Sequence, residues 1–323
     1  MLKTFFYTSI LFFALLGITA CSSKKLYDMA VEHERSSGGM EKKSITLDFG
    51  EIVYLENDVK SDMTIVLIHG FGGSKDNWTS MIAEWNDRYH VIAIDLPGHG
   101  KSVSTKTLGY TTRHQAQMLD TFLKAKKLKH FHLIGHSMGG AIALRYAGNH
   151  TNNVKTLILI DAMGMEQTKS DGVKLVEQSD KNPLYDVCTK ERLETLLSYS
   201  MHKPPYVPEL IKDALLQEKC ARRDLEKILY EDIYKDVCCL NDIAKNIHIP
   251  TLILWGEKDR LTHIDNATLF HDTIQGSQLV ILKEIGHVPM LEDPKRMADE
   301  IDKFIRQING KSKTLRNNIK HSL

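Results

Sequence analysis

Short, continuous apolar runs recur along the chain and are separated by segments with helical periodicity. The run TIVLIH at Thr64–His69 shows no polar alternation, which is typical of a strand buried on both faces of a parallel sheet. The same signature recurs in His90–Leu96, His130–Gly135, Lys155–Asp161, Thr251–Trp255 and Gln278–Lys283. Strands that alternate with helices predict a mostly parallel sheet covered by helices on both faces.

A long segment between Met163 and Asn246 interrupts this alternation and carries helical patterns of its own. In Arg223–Tyr234, apolar residues recur on one face, while Lys203–Pro208 reads KPPYVP and predicts a stiff bend. We expect the segment to form an inserted helical cap over the strand ends. The predicted fold class is therefore α/β, with a mostly parallel central sheet and this cap.

These patterns also set the predicted boundaries. Further helices are expected at Tyr110–Leu128, Gly139–Gly148 and Asp293–Ile308, and two N-terminal strands, Ser44–Phe49 and Ile52–Glu56, turn at Gly50. The predicted segments are a signal peptide at 1–20, a tether at 21–42, a core at 43–162 and 247–309, the cap at 163–246, and a solvated basic tail at 310–323.

The first residues have the layout of a secretory signal. Lys3 precedes an uncharged stretch with an apolar centre at Ile10–Ile18, and small residues follow. The sequence Ile18-Thr19-Ala20-Cys21 resembles the lipobox of bacterial lipoproteins, which implies cleavage before Cys21 and a lipid on that cysteine. Ser22 then favours the outer membrane in a cell with two membranes. A plain signal peptide and an uncleaved anchor helix are the alternatives.

Composition narrows the range of partners. The 323 residues carry a formal net charge of +1, so no concentrated basic surface for nucleic acid is expected. No protein partner is indicated. Four cysteines, Cys188, Cys220, Cys238 and Cys239, fall in the cap, where an exported protein can form one or two disulfides. The vicinal pair could instead be two small buried residues, and no cysteine or histidine spacing predicts a metal site.

The motif Gly135-His136-Ser137-Met138-Gly139 fits the pattern G-x-S-x-G and lies between an apolar run and a helical pattern. A sharp strand-to-helix turn lifts a serine hydroxyl above the sheet, and its crowded backbone requires small residues at both glycines. The adjoining helix N-terminus favours developing negative charge. We therefore predict that Ser137 is a catalytic nucleophile, because a chance match in a loop would lack this context.

A serine hydroxyl needs a base, and the base needs a carboxylate that holds its tautomer. In a chain that runs serine, acid, histidine, the base comes last, and His287 in GHVP follows the last predicted strand. Asp259, which ends WGEKD, follows the predicted strand Thr251–Trp255 and is the predicted acid. Asp161, at the end of the strand before the cap, and Glu257 are the alternative acids.

Acyl transfer through a serine also needs two donors for the developing oxyanion. The backbone N–H groups of Met138, after the nucleophile, and Phe71, in HGFGG, are predicted to supply them. This glycine-rich loop lacks the Gly-Lys-Ser/Thr that a phosphate loop requires. Asp95 precedes the serine in the chain, so we expect it to stabilise the loop LPGHG.

Four motifs resemble the α/β-hydrolase superfamily of serine hydrolases: HGFGGSKDN at 69–77, the GHSMGG turn, WGEKD and GHVPM. A closer resemblance, to the lipase 1 type of cold-adapted bacterial lipases, rests on Lys203–Pro208 and the lipoprotein-like start. The resemblance covers Lys43–Ile308 and implies the α/β-hydrolase fold. It also implies hydrolysis of small-molecule or lipid carboxylic esters, acyl glycerides among them, through acyl-Ser137 and without a cofactor. The cap cysteines depart from the family pattern.

Two other functions remain open. A carbon–carbon hydrolase of ring-fission products would use the same triad and a similar cap, but an export signal does not suit intracellular aromatic breakdown. A non-catalytic, surface-anchored binding protein would not need all three triad positions filled. A haloalkane dehalogenase is excluded, because it would need Asp at the position of Ser137.

Overall fold

The computed structural model describes residues 23–321 except 167, 180–181 and 238–239. The predicted signal peptide at 1–20, the predicted lipid attachment site Cys21 and the vicinal cysteines Cys238 and Cys239 lie outside the described residues.

One eight-stranded sheet forms the centre of the molecule, in the spatial order β1-β2-β4-β3-β5-β6-β7-β8. β1 pairs antiparallel with β2, and β2 antiparallel with β4, whereas all the other neighbours are parallel. The mostly parallel sheet predicted from the apolar runs is confirmed. The strands are β1 (Glu41–Leu47), β2 (Gly50–Glu56), β3 (Thr64–Ile68), β4 (His90–Ile94), β5 (Phe131–His136), β6 (Val154–Ile160), β7 (Thr251–Gly256) and β8 (Gln278–Leu282).

The strand order reverses around β3, because the chain passes from β3 to β4 on one side and then to β5 on the other. Loops that leave the carboxyl ends of β3 and β5 therefore diverge and leave a crevice between them. In open α/β sheets, such a reversal is where ligands bind. The fold thus places the HGFGG loop after β3 beside the serine motif after β5.

Helices cover both faces of the sheet, as predicted. Along β5, Leu133 packs into one hydrophobic layer and Ile134 into the other, and neither is exposed. A short 3₁₀ turn at Lys75–Trp78 leads into one of these helices. The helices are α1 (Ser23–Ser37), α2 (Thr79–Ala83), α3 (Thr112–Ala125), α4 (Met138–Asn149), α5 (Asp171–Gln178), α6 (Lys190–Ser200), α7 (Glu209–Tyr234), α8 (Asn241–Lys245), α9 (Asp265–Thr273), α10 (Pro289–Glu292) and α11 (Pro294–His321).

The two layers have different helical partners. Buried side chains of α3 and α4, such as Phe122 and Leu144, fill the first layer, while Met81 of α2 and Phe304 of α11 fill the second. The predicted amphipathic stripe of α3 packs into the first layer, and Thr111 caps the start of the helix by accepting the His114 N–H. Two-layer burial explains why the strands carry apolar side chains at consecutive positions.

Helices α5, α6, α7 and α8 occupy the predicted cap segment between β6 and β7. A disulfide joins Cys188, just before α6, to Cys220 in the middle of α7. The sequence left this pairing open. The bond holds two cap helices together over the carboxyl edge of the sheet.

Both ends of the described chain are more regular than the sequence suggested. The segment predicted as a tether is mostly helix α1, and α11 continues through the predicted basic tail as far as His321. Arg35 of α1 donates two hydrogen bonds to the Asp76 carboxylate, at 2.7 and 2.9 Å. Glu34 accepts one from Thr79. These partners are distant in sequence, so the local polar composition gave no sign of them.

Candidate active site

Ser137 lies between the end of β5 and the start of α4, on a turn formed by residues 135–139, here called the serine turn. Its backbone has φ 52° and ψ −118°, a left-handed conformation that non-glycine residues adopt only where the surroundings enforce it. A side chain at Gly135 would collide with the carbonyl of Gly139, and one at Gly139 with the backbone of Ile68. The turn therefore fits the crowding that the motif predicted.

His287 follows β8 and forms a hydrogen bond through Nδ1 to Oδ2 of Asp259, at 2.8 Å. Both side chains are buried. If Nδ1 carries the proton of this bond, Nε2 is free to accept one. The structure therefore brings the predicted base and the predicted acid into direct contact, and His287 lines the same cavity as Ser137.

The Asp259 carboxylate accepts further hydrogen bonds from the loop that follows it. Oδ1 receives the N–H groups of Leu261 and Thr262, at 2.7 and 2.9 Å, and Oδ2 receives the Thr262 hydroxyl at 2.5 Å. Burial alone would raise the pKa of Asp259, but His287 and the Thr262 donors outweigh it and hold the pKa below its ordinary value. Asp259 is thus held as a charged acceptor.

The alternative acids occupy other places. Asp161 directly follows β6 and lies close to Asp259, and its Oδ1 accepts the Gly256 N–H at 2.8 Å. Complete burial, together with the charge of Asp259, raises the pKa of Asp161 well above its ordinary value. Glu257 instead accepts the Glu284 N–H, at 3.2 Å, near the surface. Asp259 is the carboxylate that contacts the imidazole.

Asp161, Asp259 and His287 also place one potential metal-ligand atom each within 4.8 Å of one another, the single cluster of this kind among the described residues. However, His287 Nδ1 and Asp259 Oδ2 are already bonded to each other. The raised pKa of Asp161 means that a proton competes with a cation for this carboxylate. The donor set therefore suits proton transfer better than cation binding.

The loop after β3 presses against the serine turn. A Cβ on Gly70 would lie 3.0 Å from the Cβ of Ser137, so only glycine allows this approach. Phe71 follows, and its backbone N–H donates to no backbone carbonyl of the described residues. Met138 opens α4, where the first N–H groups have no intrahelical acceptor. Both predicted donors therefore lie beside Ser137 with backbone N–H groups available to a ligand.

Asp95 anchors the neighbouring loops, as the sequence predicted. Its Oδ1 accepts the Lys75 N–H at 2.7 Å, and its Oδ2 lies 2.9 Å from both Lys75 Nζ and the Lys101 N–H. Lys75 and Asp95 are fully buried, so each neutralises the other. Asp95 thereby joins the end of the loop at 97–100 to the turn that carries Lys75.

Sequence reasoning missed two positioning residues. His136 lies inside the serine motif, and its Nε2 is 2.6 Å from the backbone carbonyl of His287. Burial is the main cause, and the nearby His287 the second, of a pKa of His136 lowered to about 3. The ring is therefore neutral, and Nε2 donates in this bond. Thr262, which binds Asp259, lies three residues after it. The sequence signal that could have identified Thr262 is a hydroxyl residue three positions after the predicted acid.

A cavity of about 320 Å³ lies at Ser137 and His287, and residues of the cap form much of its wall. Its wall is mostly apolar, with a few polar groups including Glu166 and Lys219. Burial raises the pKa of Glu166 above its ordinary value. The apolar lining comes largely from cap helices and from the segment after His287: Val173, Val176, Leu193, Leu196, Leu197, Met201, Leu215, Val288 and Leu291.

Comparison with known proteins agrees with this fold. The sequence profile of the family described as the alpha/beta hydrolase fold matches residues 64–294. Lipase 3 of Moraxella sp. (strain TA144) is 37% identical over 280 residues, which cover 85% of this chain and 87% of that protein. Lipase 1 of Psychrobacter immobilis is 35% identical over the same length and the same shares of the two chains.

Among solved structures, a membrane phospholipase A, described as a novel bacterial virulence factor, superposes with a TM-score of 0.86. It is 31% identical in sequence, and the match covers 96% of this chain and 99% of the other.

Proposed function

This chain belongs to the α/β-hydrolase family, and we propose that Ser137, His287 and Asp259 perform its chemistry as a catalytic triad. It is an ester-hydrolysing serine hydrolase. The observation that carries the triad assignment is the 2.8 Å bond between His287 Nδ1 and Asp259 Oδ2, at the wall of the cavity that contains Ser137.

The reaction follows from these positions. His287 Nε2 takes the proton of the Ser137 hydroxyl as the oxygen attacks the ester carbonyl carbon. The carbonyl oxygen becomes an oxyanion and receives the N–H groups of Phe71 and Met138. His287 then gives its proton to the departing alcohol, which leaves an acyl-Ser137. A water molecule, deprotonated by the same imidazole, releases the acid and restores the serine.

Lipid esters, acyl glycerides in particular, are the proposed substrates. The apolar side chains of α6, such as Leu193 and Leu197, offer a surface for an acyl chain, since burying hydrocarbon against them is favourable. Glu166, Tyr230 and Tyr234 form a polar stretch of the same cavity wall and suit the hydroxyl groups of an alcohol moiety. The names of the two lipase relatives support this substrate class.

The decisive experiment replaces the nucleophile. Ser137→Ala should lower kcat on p-nitrophenyl butyrate and octanoate by about 10⁶, because no other group can form the acyl intermediate. Ser36→Ala, at an exposed position of α1, is the matched control and should retain wild-type activity. Near-normal turnover by Ser137→Ala would refute the assignment.

A second measurement tests the substrate class. Rates on monoacylglycerols and on butyrate, octanoate and long-chain esters should exceed the rate on a ring-fission dienone, which a carbon–carbon hydrolase would prefer. A preference for the dienone would overturn the lipid-ester proposal and leave the triad standing.

We further propose that the protein is exported and held at the cell envelope, in the outer membrane, by lipid on Cys21. The sequence Ile18-Thr19-Ala20-Cys21 and the preceding apolar stretch support this proposal. No helix in the described part of the chain has the length and apolar character needed to cross a bilayer. Cys21→Ser should move the protein from the membrane fraction to the soluble fraction, and unchanged fractionation would contradict a lipid anchor.

A further inference from the structure

Helix α7 of the cap reaches down to the loop that carries one of the oxyanion donors. This loop, residues 70–73, is here called the oxyanion loop. Lys219 of α7 donates from Nζ to the backbone carbonyl of Gly72, at 3.0 Å. Gly72 has φ 63°, and a Cβ there would lie 2.6 Å from the Lys219 ammonium. Glycine therefore lets the cation reach this carbonyl.

A buried carboxylate holds the Lys219 ammonium in place. Glu226, two turns further along α7, has a side chain only 2% exposed, and its Oε1 lies 3.2 Å from Lys219 Nζ. Arg222 lies on the same side of the helix, 3.7 Å from Glu226, and donates to the carbonyl of Gly98. One buried acid thus orients two cations, each aimed at a backbone carbonyl of a loop beside the active site.

The charged group of Lys219, Arg222 and Glu226 is more than is needed to join the cap to the core. Burying a charge is costly, and apolar residues of similar size would join the cap to the core at least as well. Lys219 also lines the cavity that contains Ser137. The Phe71 ring packs edge-on against Tyr230 of α7, with ring centres 6.0 Å apart. Helix α7 therefore contacts the oxyanion loop through both a charge and a ring.

We propose that Lys219, oriented by Glu226, is a positioning residue that fixes the oxyanion loop so that the Phe71 N–H faces the developing oxyanion. The inference rests on the proposed ester hydrolysis. A donor acts fully only when it is already aimed at the place where charge develops. A displacement of about 1 Å in a catalytic group lowers the rate strongly. The cap thereby becomes part of the catalytic machinery as well as the wall of the substrate cavity.

The test uses three variants of the full chain. Lys219→Met keeps most of the side-chain volume and removes the charge, and it should lower kcat about tenfold, less than the ~10²–10³ lost with a whole oxyanion donor. KM should stay within about twofold, because the interaction serves the transition state. Lys219→Arg should restore most of kcat. Lys227→Met, at an exposed lysine of the same helix, should match the wild type.

If Lys219→Met leaves kcat unchanged, or changes only KM, the proposal is overturned and Lys219 is a packing or binding residue. So would a fall in kcat that Lys219→Arg does not reverse. Melting temperatures identify a variant that fails to fold. In that case Lys219→Leu, which also lacks a donor for the Gly72 carbonyl, replaces Lys219→Met and is judged by the same criteria.

Inactivation by a fluorophosphonate separates this inference from the proposed function. The probe needs an activated Ser137 and an oxyanion site, but no natural substrate: the serine oxygen bonds to phosphorus, fluoride leaves and His287 takes the proton. If the wild type reacts with the probe but cleaves no lipid ester, the substrate proposal fails. The positioning role is then tested by the rate of inactivation by the probe. Lys219→Met should react about tenfold more slowly than the wild type, and equal rates for the two proteins would refute the role.

Discussion

Replacing Asp259 by Asn tests how the imidazole is held. The N–H groups of Leu261 and Thr262 donate to Oδ1, so the amide oxygen of the new side chain should occupy that position. The amide NH₂ then takes the place of Oδ2 and faces His287 Nδ1. A donor at this point requires Nδ1 to be the acceptor, which moves the ring proton to Nε2. In that tautomer His287 cannot take the proton of Ser137.

The expected loss of activity follows from this change of the His287 tautomer. The fold and the oxyanion donors stay in place, so only the base is lost, and kcat should fall by about 10⁴. KM should change little, because Asp259 is buried behind His287 and is not part of the cavity lining. Melting temperature should fall only moderately, since the amide keeps two of the four hydrogen bonds to Asp259 without change but loses the charge that His287 and Thr262 stabilise.

The assay is steady-state hydrolysis of p-nitrophenyl octanoate, with Asp161→Asn as the matched control. Asp161 is the neighbouring buried carboxyl, and its Oδ1 bond to Gly256 survives as an amide oxygen. Its replacement should cost less than about tenfold in kcat. A larger loss in Asp161→Asn than in Asp259→Asn would show that the acid of the triad has been assigned to the wrong residue.

Three further outcomes follow from the geometry. Gly135→Ala should fail to fold or lose most of its thermal stability, as circular dichroism would show, because its methyl would meet the Gly139 carbonyl; a normal melting curve would contradict that. Reducing the Cys188–Cys220 disulfide, whose sequence separation is 32, should cost up to about 4 kcal/mol in the free energy of unfolding, measured by denaturant titration with and without reductant, and equal midpoints would rule this out. The raised pKa of Asp161 means that its stabilising contribution is fully present below the unfolded-state pKa and is lost as pH rises from there through the folded-state pKa, so Asp161→Asn should flatten the fall in melting temperature over that range; parallel profiles would refute this.

The parts of the fold that depend on local pattern could be predicted from sequence. A buried parallel strand needs apolar side chains on both faces, so a run such as Thr64–His69 can be recognised as a strand without knowing which strands it pairs with. The serine turn is similarly local, because its glycines are required by contacts within a few residues and with the next strand. The order of Ser137, Asp259 and His287 along the chain then narrowed the choice of acid and base.

Contacts between distant residues could not be predicted in this way. Cys188 could pair with any of the three other cap cysteines, and spacing does not select Cys220. Lys219 reads as an ordinary solvated lysine until α7 is placed over Gly72. His136 occupies a variable position of its motif, and its bond to the His287 carbonyl depends on how β5 and the loop after β8 meet.

Helix α1 bears on how a soluble form of this enzyme should be prepared. A truncation that removes the proposed export signal and starts at β1 would also delete Arg35, which binds the Asp76 carboxylate beside the buried Lys75. It would also delete Met40, which is 4% exposed and packs in the second hydrophobic layer. A shortened protein should therefore keep the chain from Ser23 onward, where the first turn of this helix begins.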